Sequence, residues 1–126
     1  MKKVLLWLWQ LPQNVAGWLL SRNAGIKVYD GITVHFKFLF RSGVSLGNYI
    51  ILDNIYLNFE DLINDTVKHE HGHQIQSMYL GPLYLIIIGL PSMLGNIYSR
   101  IFHKDSEWYY KQPWEAWADK LGGVVR

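Results

Sequence analysis

The chain has 126 residues, half of them hydrophobic and 15% aromatic, which excludes an intrinsically disordered segment and leaves room for one domain, residues 1–126, around one core. A net charge of +2, with acids and bases interleaved, provides no basic stripe for a phosphate backbone, so nucleic acid is set aside as a partner. The absence of cysteine excludes disulfides, thiolate catalysis and every Cys-ligated zinc site, so a zinc ion here must sit on nitrogen and oxygen.

The chain opens with Lys2 and Lys3 followed by an apolar run, Val4 to Trp9, that imitates a signal peptide. Gln10, Pro12, Gln13 and Asn14 then break the run and no small-residue cleavage site follows. The spacing predicts helix in parts of residues 4–20, started afresh near Pro12, as an amphipathic packing or membrane-surface segment. Ile26 to Tyr29 and Ile32 to Phe38 alternate at period two around Asp30-Gly31, which predicts a β-hairpin. Val44 to Gly47 and Tyr49 to Leu52 read as further strand pieces, divided at Gly47-Asn48.

Asn64, Asp65 and Thr66 are N-cap types before a helix-period segment from about Val67 to Leu80, which Gly81-Pro82 stops. No charged residue lies between His73 and Arg100. Residues 80–98 therefore approach the roughly 20 apolar residues that cross a bilayer, but Pro82, Gly89, Pro91 and Gly95 favour a broken, buried helix in the core. His103 to Gln112 reads as a polar, aromatic loop. Pro113 suits the first turn of a last helix that Gly122-Gly123 end.

The chemistry concentrates in Val67-Lys68-His69-Glu70-His71-Gly72-His73-Gln74, which contains His-Glu-x-x-His. Helical residues four apart have Cβ atoms roughly 5–6 Å apart on one face, so His69 and His73 can converge on one ion. Glu70 lies about 100° further round, where its carboxylate can take a proton from water. Gly72 admits a close neighbour. A catalytic zinc site needs a third ligand, and Glu115 is the candidate, with Asp119 one turn later on the same face. Glu107 and Glu60 are the replacements should Glu115 lie on a solvated face. His71 is turned about 160° from His73 and reads as a bystander.

At these residues the chain resembles the zincin metallopeptidases, and Glu115-x-x-x-Asp119 resembles the second motif of their gluzincin branch. The resemblance implies that Glu115 binds zinc and that Asp119 hydrogen-bonds a zinc-bound histidine. The chain is also similar to a small bacterial group in which the histidine motif runs on into Gln76-Ser77, Leu80 to Leu85 and Gly89 to Ser92. It lacks the separate domain that completes the cleft of larger gluzincins. The zincin arrangement implies an edge strand above the helix that binds extended substrate, for which Val44 to Leu52 is the candidate.

The expected fold is α+β, a small antiparallel sheet packed on the metal helix, with an apolar helical insert and a short C-terminal ligand helix. The expected function is hydrolysis of a peptide or protein substrate with Zn2+ as cofactor and Glu70 as general base. Tyr109 and Tyr110 are the leading oxyanion donors, ahead of Tyr79, His103 and His71. A non-catalytic metal-binding sensor or scaffold and a membrane-embedded zinc protease are the alternative readings. The expected location is the cytoplasm, with a membrane surface as a further partner.

Overall fold

A computed structural model describes residues 2–39 and 41–125, apart from the side chains of Glu60 and Ser106. The fold is α+β. Helices α1 (Lys2–Trp9) and α2 (Leu11–Leu20) precede strands β1 (Gly25–Tyr29), β2 (Ile32–Lys37), β3 (Gly43–Leu46) and β4 (Tyr49–Asp53). A 3-10 turn (Asn54–Asn58) leads into the long helix α3 (Glu60–Leu80). After a second 3-10 turn (Gly81–Leu83), a π-helical stretch (Leu85–Gly89) runs into α4 (Leu90–Ile101). Helices α5 (Ser106–Lys111) and α6 (Pro113–Gly122) complete the described chain.

The expected antiparallel sheet is mixed instead, in the order β1-β2-β4-β3. β1 and β2 form the hairpin predicted at Asp30-Gly31, both in the left-handed region, and β3 and β4 pair antiparallel across a turn at Gly47. β2 and β4, however, run parallel, with Val34 beside Ile50 and Phe36 beside Leu52. The chain leaves β2, passes the place of β4 and enters the sheet at the far edge. The Asp53 carboxylate holds that detour, because its Oδ2 accepts the N–H groups of Leu39 and Arg41 at 2.7 and 2.8 Å while Oδ1 accepts Ile55 N–H.

The core lies between one sheet face and α3. Val34, Phe36, Ile50 and Leu52 alternate inward from β2 and β4 and meet Ile63 and Val67 of α3. That contact explains why α3 begins at Glu60, seven residues before the predicted start. Ile63 has a buried place on the sheet, and packing of an apolar face extends a helix past internal Asn64-Asp65-Thr66. On the opposite sheet face α2 crosses close to Tyr49 and Leu46, and a Cβ on Gly17 would meet both at 2.8 Å.

Two further expectations change. The predicted loop from His103 to Gln112 contains α5, whose first turn is capped by the Asp105 carboxylate accepting Trp108 N–H. Residues 80–98 do not form a buried core helix. Within them Gly81, Tyr84, Ile88 and Gly95 are buried, whereas Ile86, Leu90, Met93, Leu94 and Ile97 are exposed. Among the described residues no single helix is long and apolar enough to cross a membrane, and residues 61–83 and 85–101 meet at a bend of 119°.

Candidate metal centre

Helix α3 presents His69 and His73 on one face, and α6 lies against that face. The approach is set by two glycines. A Cβ on Gly72 would overlap the Ala118 carbonyl, and a Cβ on Gly122 would overlap the Lys68 carbonyl. Backbone-to-backbone packing of this kind brings short acidic side chains of α6 within reach of the imidazoles. Pro113 starts α6 and Gly123, at φ 81°, ends it, as the sequence predicts.

Glu115 is fully buried. Its Oε1 lies 2.9 Å from His69 Nε2 and 2.8 Å from His73 Nε2, and the two rings stand nearly perpendicular with centroids 4.7 Å apart. The ligand atoms of His69, His73 and Glu115 all fall within 4.8 Å of one another, so these three residues can hold a metal ion. The donor set suits one. Among the described residues Glu115 Oε2 is buried with no hydrogen-bond partner, and both Nδ1 atoms are engaged elsewhere, leaving both Nε2 atoms aimed inward.

Each imidazole is oriented from behind. His69 Nδ1 donates to Asp119 Oδ1 at 2.7 Å, and His73 Nδ1 donates to Gln76 Oε1 at 2.6 Å. Gln76 is itself fixed, because its Nε2 donates to the Trp114 carbonyl on α6. Sequence reasoning named Asp119 and missed this role of Gln76. The signal was available, since Gln76 follows His73 by three residues on a helix and can reach its ring.

Electrostatics follow from burial and contact. Burial opposes protonation of His69, but the Asp119 and Glu115 carboxylates outweigh it and push its pKa up to about 9. Burial works against ionisation of Glu115, yet hydrogen bonds from both histidines hold its carboxyl well below the usual range. Glu70 is raised by burial, with the two histidines acting in the opposite direction. Its Oε2 has no hydrogen-bond partner among the described residues.

Glu70 sits where two hollows meet. A polar one of about 230 Å³ is lined by His69, Arg41, Thr66, Lys104 and Tyr110, and an apolar one of about 710 Å³ by Leu20, Leu46, Tyr84, Leu90, Met93 and Ile97. Both share Ser42, Gly43, Glu70, Asn96, Arg100 and Tyr109, so they form one cleft beside the candidate metal-ligating group. Compared with known protein families, curated proteins and solved structures, the chain matches none.

The remaining candidates separate cleanly. Tyr109 lines both hollows, its hydroxyl 2.9 Å from Ser92 Oγ, and burial raises its pKa far above the usual phenol value. The Tyr110 and His69 rings stand nearly perpendicular, with centroids 4.9 Å apart. Tyr79 and His103 are exposed, and neither lines the cleft. His71 bonds Gln74 and lines a separate hollow with Met78. Of the replacement ligands, Glu107 is exposed and paired with Lys111, while the side chain of Glu60 lies outside the described residues. The candidate edge Val44 to Leu52 divides: β3 is one of the two edge strands of the sheet, whereas β4 is interior.

Proposed function

We propose that this centre is a mononuclear zinc hydrolase site of the gluzincin type, acting on peptide bonds. The observation that carries the reading is the buried carboxylate oxygen of Glu70, without a hydrogen-bond partner among the described residues, at an open cleft beside two histidines and a glutamate whose ligand atoms lie within 4.8 Å of one another. A purely structural metal site has no use for such a group. His69, His73 and Glu115 would hold the ion. Bound zinc would supply Lewis acidity and a water of lowered pKa.

The chain's own residues supply the rest. Glu70, with its pKa raised by burial, takes the proton of the attacking water and returns it to the leaving amine. Asp119 and Gln76 keep His69 and His73 in the tautomer that turns Nε2 toward the ion. Tyr109, kept protonated by burial, is the better oxyanion donor of the two neighbouring tyrosines, because it faces the cleft on both sides of Glu70. The edge strand β3 lies along the same cleft through Gly43 to Leu46 and suits an extended peptide.

Glu70→Gln in zinc-loaded protein tests the reading, with a peptide library as substrate and metal content measured alongside. Zinc should stay bound while cleavage falls by about 10²-fold or more. Cleavage at the wild-type rate would refute the assignment.

A further inference from the structure

Helices α1 and α2 are inside out relative to a protein surrounded by water. No side chain of α1 is buried, and the buried side chains that follow it are polar: Gln10 at the junction, then Gln13 and Asn14 of α2, the last two with 0% exposure. These bond inward, although Gln13 Oε1 has no hydrogen-bond partner among the described residues. Gln13 donates to Ser77 Oγ and the Gly81 carbonyl, Ser77 donates to Gln10 at 2.5 Å, and Asn14 donates to the Trp7 carbonyl while accepting Asn48 N–H. The apolar side chains point away, with Val4, Leu5, Leu8, Leu11, Trp18 and Leu19 all exposed.

Helix α4 repeats the inversion. Ser92 and Asn96, four residues apart on one face, hydrogen-bond inward to Tyr109 and Ser42. Leu94 and Ile101 are 54% and 64% exposed, and Ile86 on the preceding π-helical stretch is 66% exposed. In water a helix stripe of this kind packs the other way round. Charge is sorted too. Residues 2–22 and 81–104 carry Lys2, Lys3, Arg22, Arg100 and Lys104 and not one Asp or Glu.

We propose that the protein is a monotopic lipid-surface protein, with α1, α2 and α4 lying in the interface of an anionic bilayer. Their lengths of 8, 10 and 12 residues suit helices lying in the interface, since a span needs about 20. The cations reach lipid phosphates, and Trp9 and Trp18 sit at headgroup depth. A second copy of the chain fits less well, because two such faces would bring five like charges against five. The apolar hollow beside Glu70 is walled by Leu20 of α2 and by Leu90, Met93 and Ile97 of α4, so it opens between the elements that touch lipid.

Flotation of the full chain, purified in mild detergent, tests this on vesicles of phosphatidylcholine alone and of an equimolar phosphatidylcholine–phosphatidylglycerol mixture. The protein should float with the mixed vesicles, more weakly with the neutral ones, and more weakly as salt is raised. Lys2→Ala and Lys3→Ala should each weaken partition about five-fold. Leu94→Glu with Ile101→Glu should abolish it while the circular dichroism spectrum and melting profile stay those of the wild type. Wild-type protein left below the mixed vesicles overturns the proposal, and a dimer broken by the same double variant then identifies a second copy as the occupant. The assay needs neither metal nor turnover, so its failure leaves the hydrolase reading standing.

Discussion

The Cα of Gly72 packs directly against the carbonyl group of Ala118, with no space for even a methyl group between them. This contact fixes how far α6 stands from α3, and that distance puts Glu115 Oε1 within 2.9 Å of both histidines. Gly72→Ala should therefore push the helices apart. The expected cost is about 3 kcal/mol of stability by overpacking, with metal affinity falling further than stability alone explains. Thermal melts with and without zinc separate the two effects, and a variant that binds zinc like the wild type would show that the helices yield elsewhere.

Gln76 and Asp119 do the same work for different histidines. Replacing Gln76 by leucine removes the acceptor for His73 Nδ1 and leaves the Trp114 carbonyl without its donor. Metal affinity should fall about 10- to 100-fold, and Gln76→Glu, which restores an acceptor, should recover much of it. Competition with a coloured chelator measures both. Equal losses in the two variants would mean that Gln76 supports packing and not the ring.

The parts of this protein that follow local rules were legible in the sequence. His69, Glu70, His73, Glu115 and Asp119 stand at helical spacings, and spacing alone places them on shared faces. Sheet order was not legible. Alternation in Ile32 to Phe38 marks a strand, yet the parallel partner of that strand is chosen by the Asp53 carboxylate holding Leu39 and Arg41, a contact across a loop. The start of α3 was misplaced for a similar reason, because the burial of Ile63 on the sheet overrides cap-type residues inside the helix. Residues 80–98 were misread because hydropathy records that a side chain avoids water and not which apolar partner it meets. The inverted polarity of α1 and α2 appears only once Gln13 and Asn14 are seen inside.

Asp53 gives the clearest pH dependence away from the metal centre. Its carboxyl is held below the ordinary value of 3.8 chiefly by the N–H of Ile55, against a burial effect of opposite sign, with Leu39 and Arg41 adding to the lowering. A depressed folded-state value means the stabilisation is complete above the unfolded value and is lost as pH falls through the folded one. Asp53→Asn should thus destabilise the protein at neutral pH by about 1–3 kcal/mol, through the hydrogen bonds to a charged acceptor that it loses. The gap between the wild-type and variant melting temperatures should close as pH drops below about 4. A gap that persists unchanged in acid would place the effect in loop shape and not in charge.

Glu115→Ala bears on the metal centre itself, and its outcome depends on whether zinc is present. In wild-type protein zinc at a thousand times its dissociation constant should stabilise the fold by about 4 kcal/mol, since the ion binds the folded state alone. Removing Glu115 leaves two imidazole ligands, fewer than a zinc site with open coordination uses, so most of that increment should vanish. The chelated forms behave differently. There the substitution deletes a buried carboxylate that both histidines contact, and the imidazoles lose the group that favours their protonation. The chelated variant should also be less stable than the chelated wild type, by an amount that zinc does not restore. Melting curves for both proteins, each with excess zinc and with chelator, give all four values. If zinc raises the melting temperature of Glu115→Ala as much as that of the wild type, the third ligand is not Glu115, and the cleft beside Glu70 does not hold the centre proposed for it.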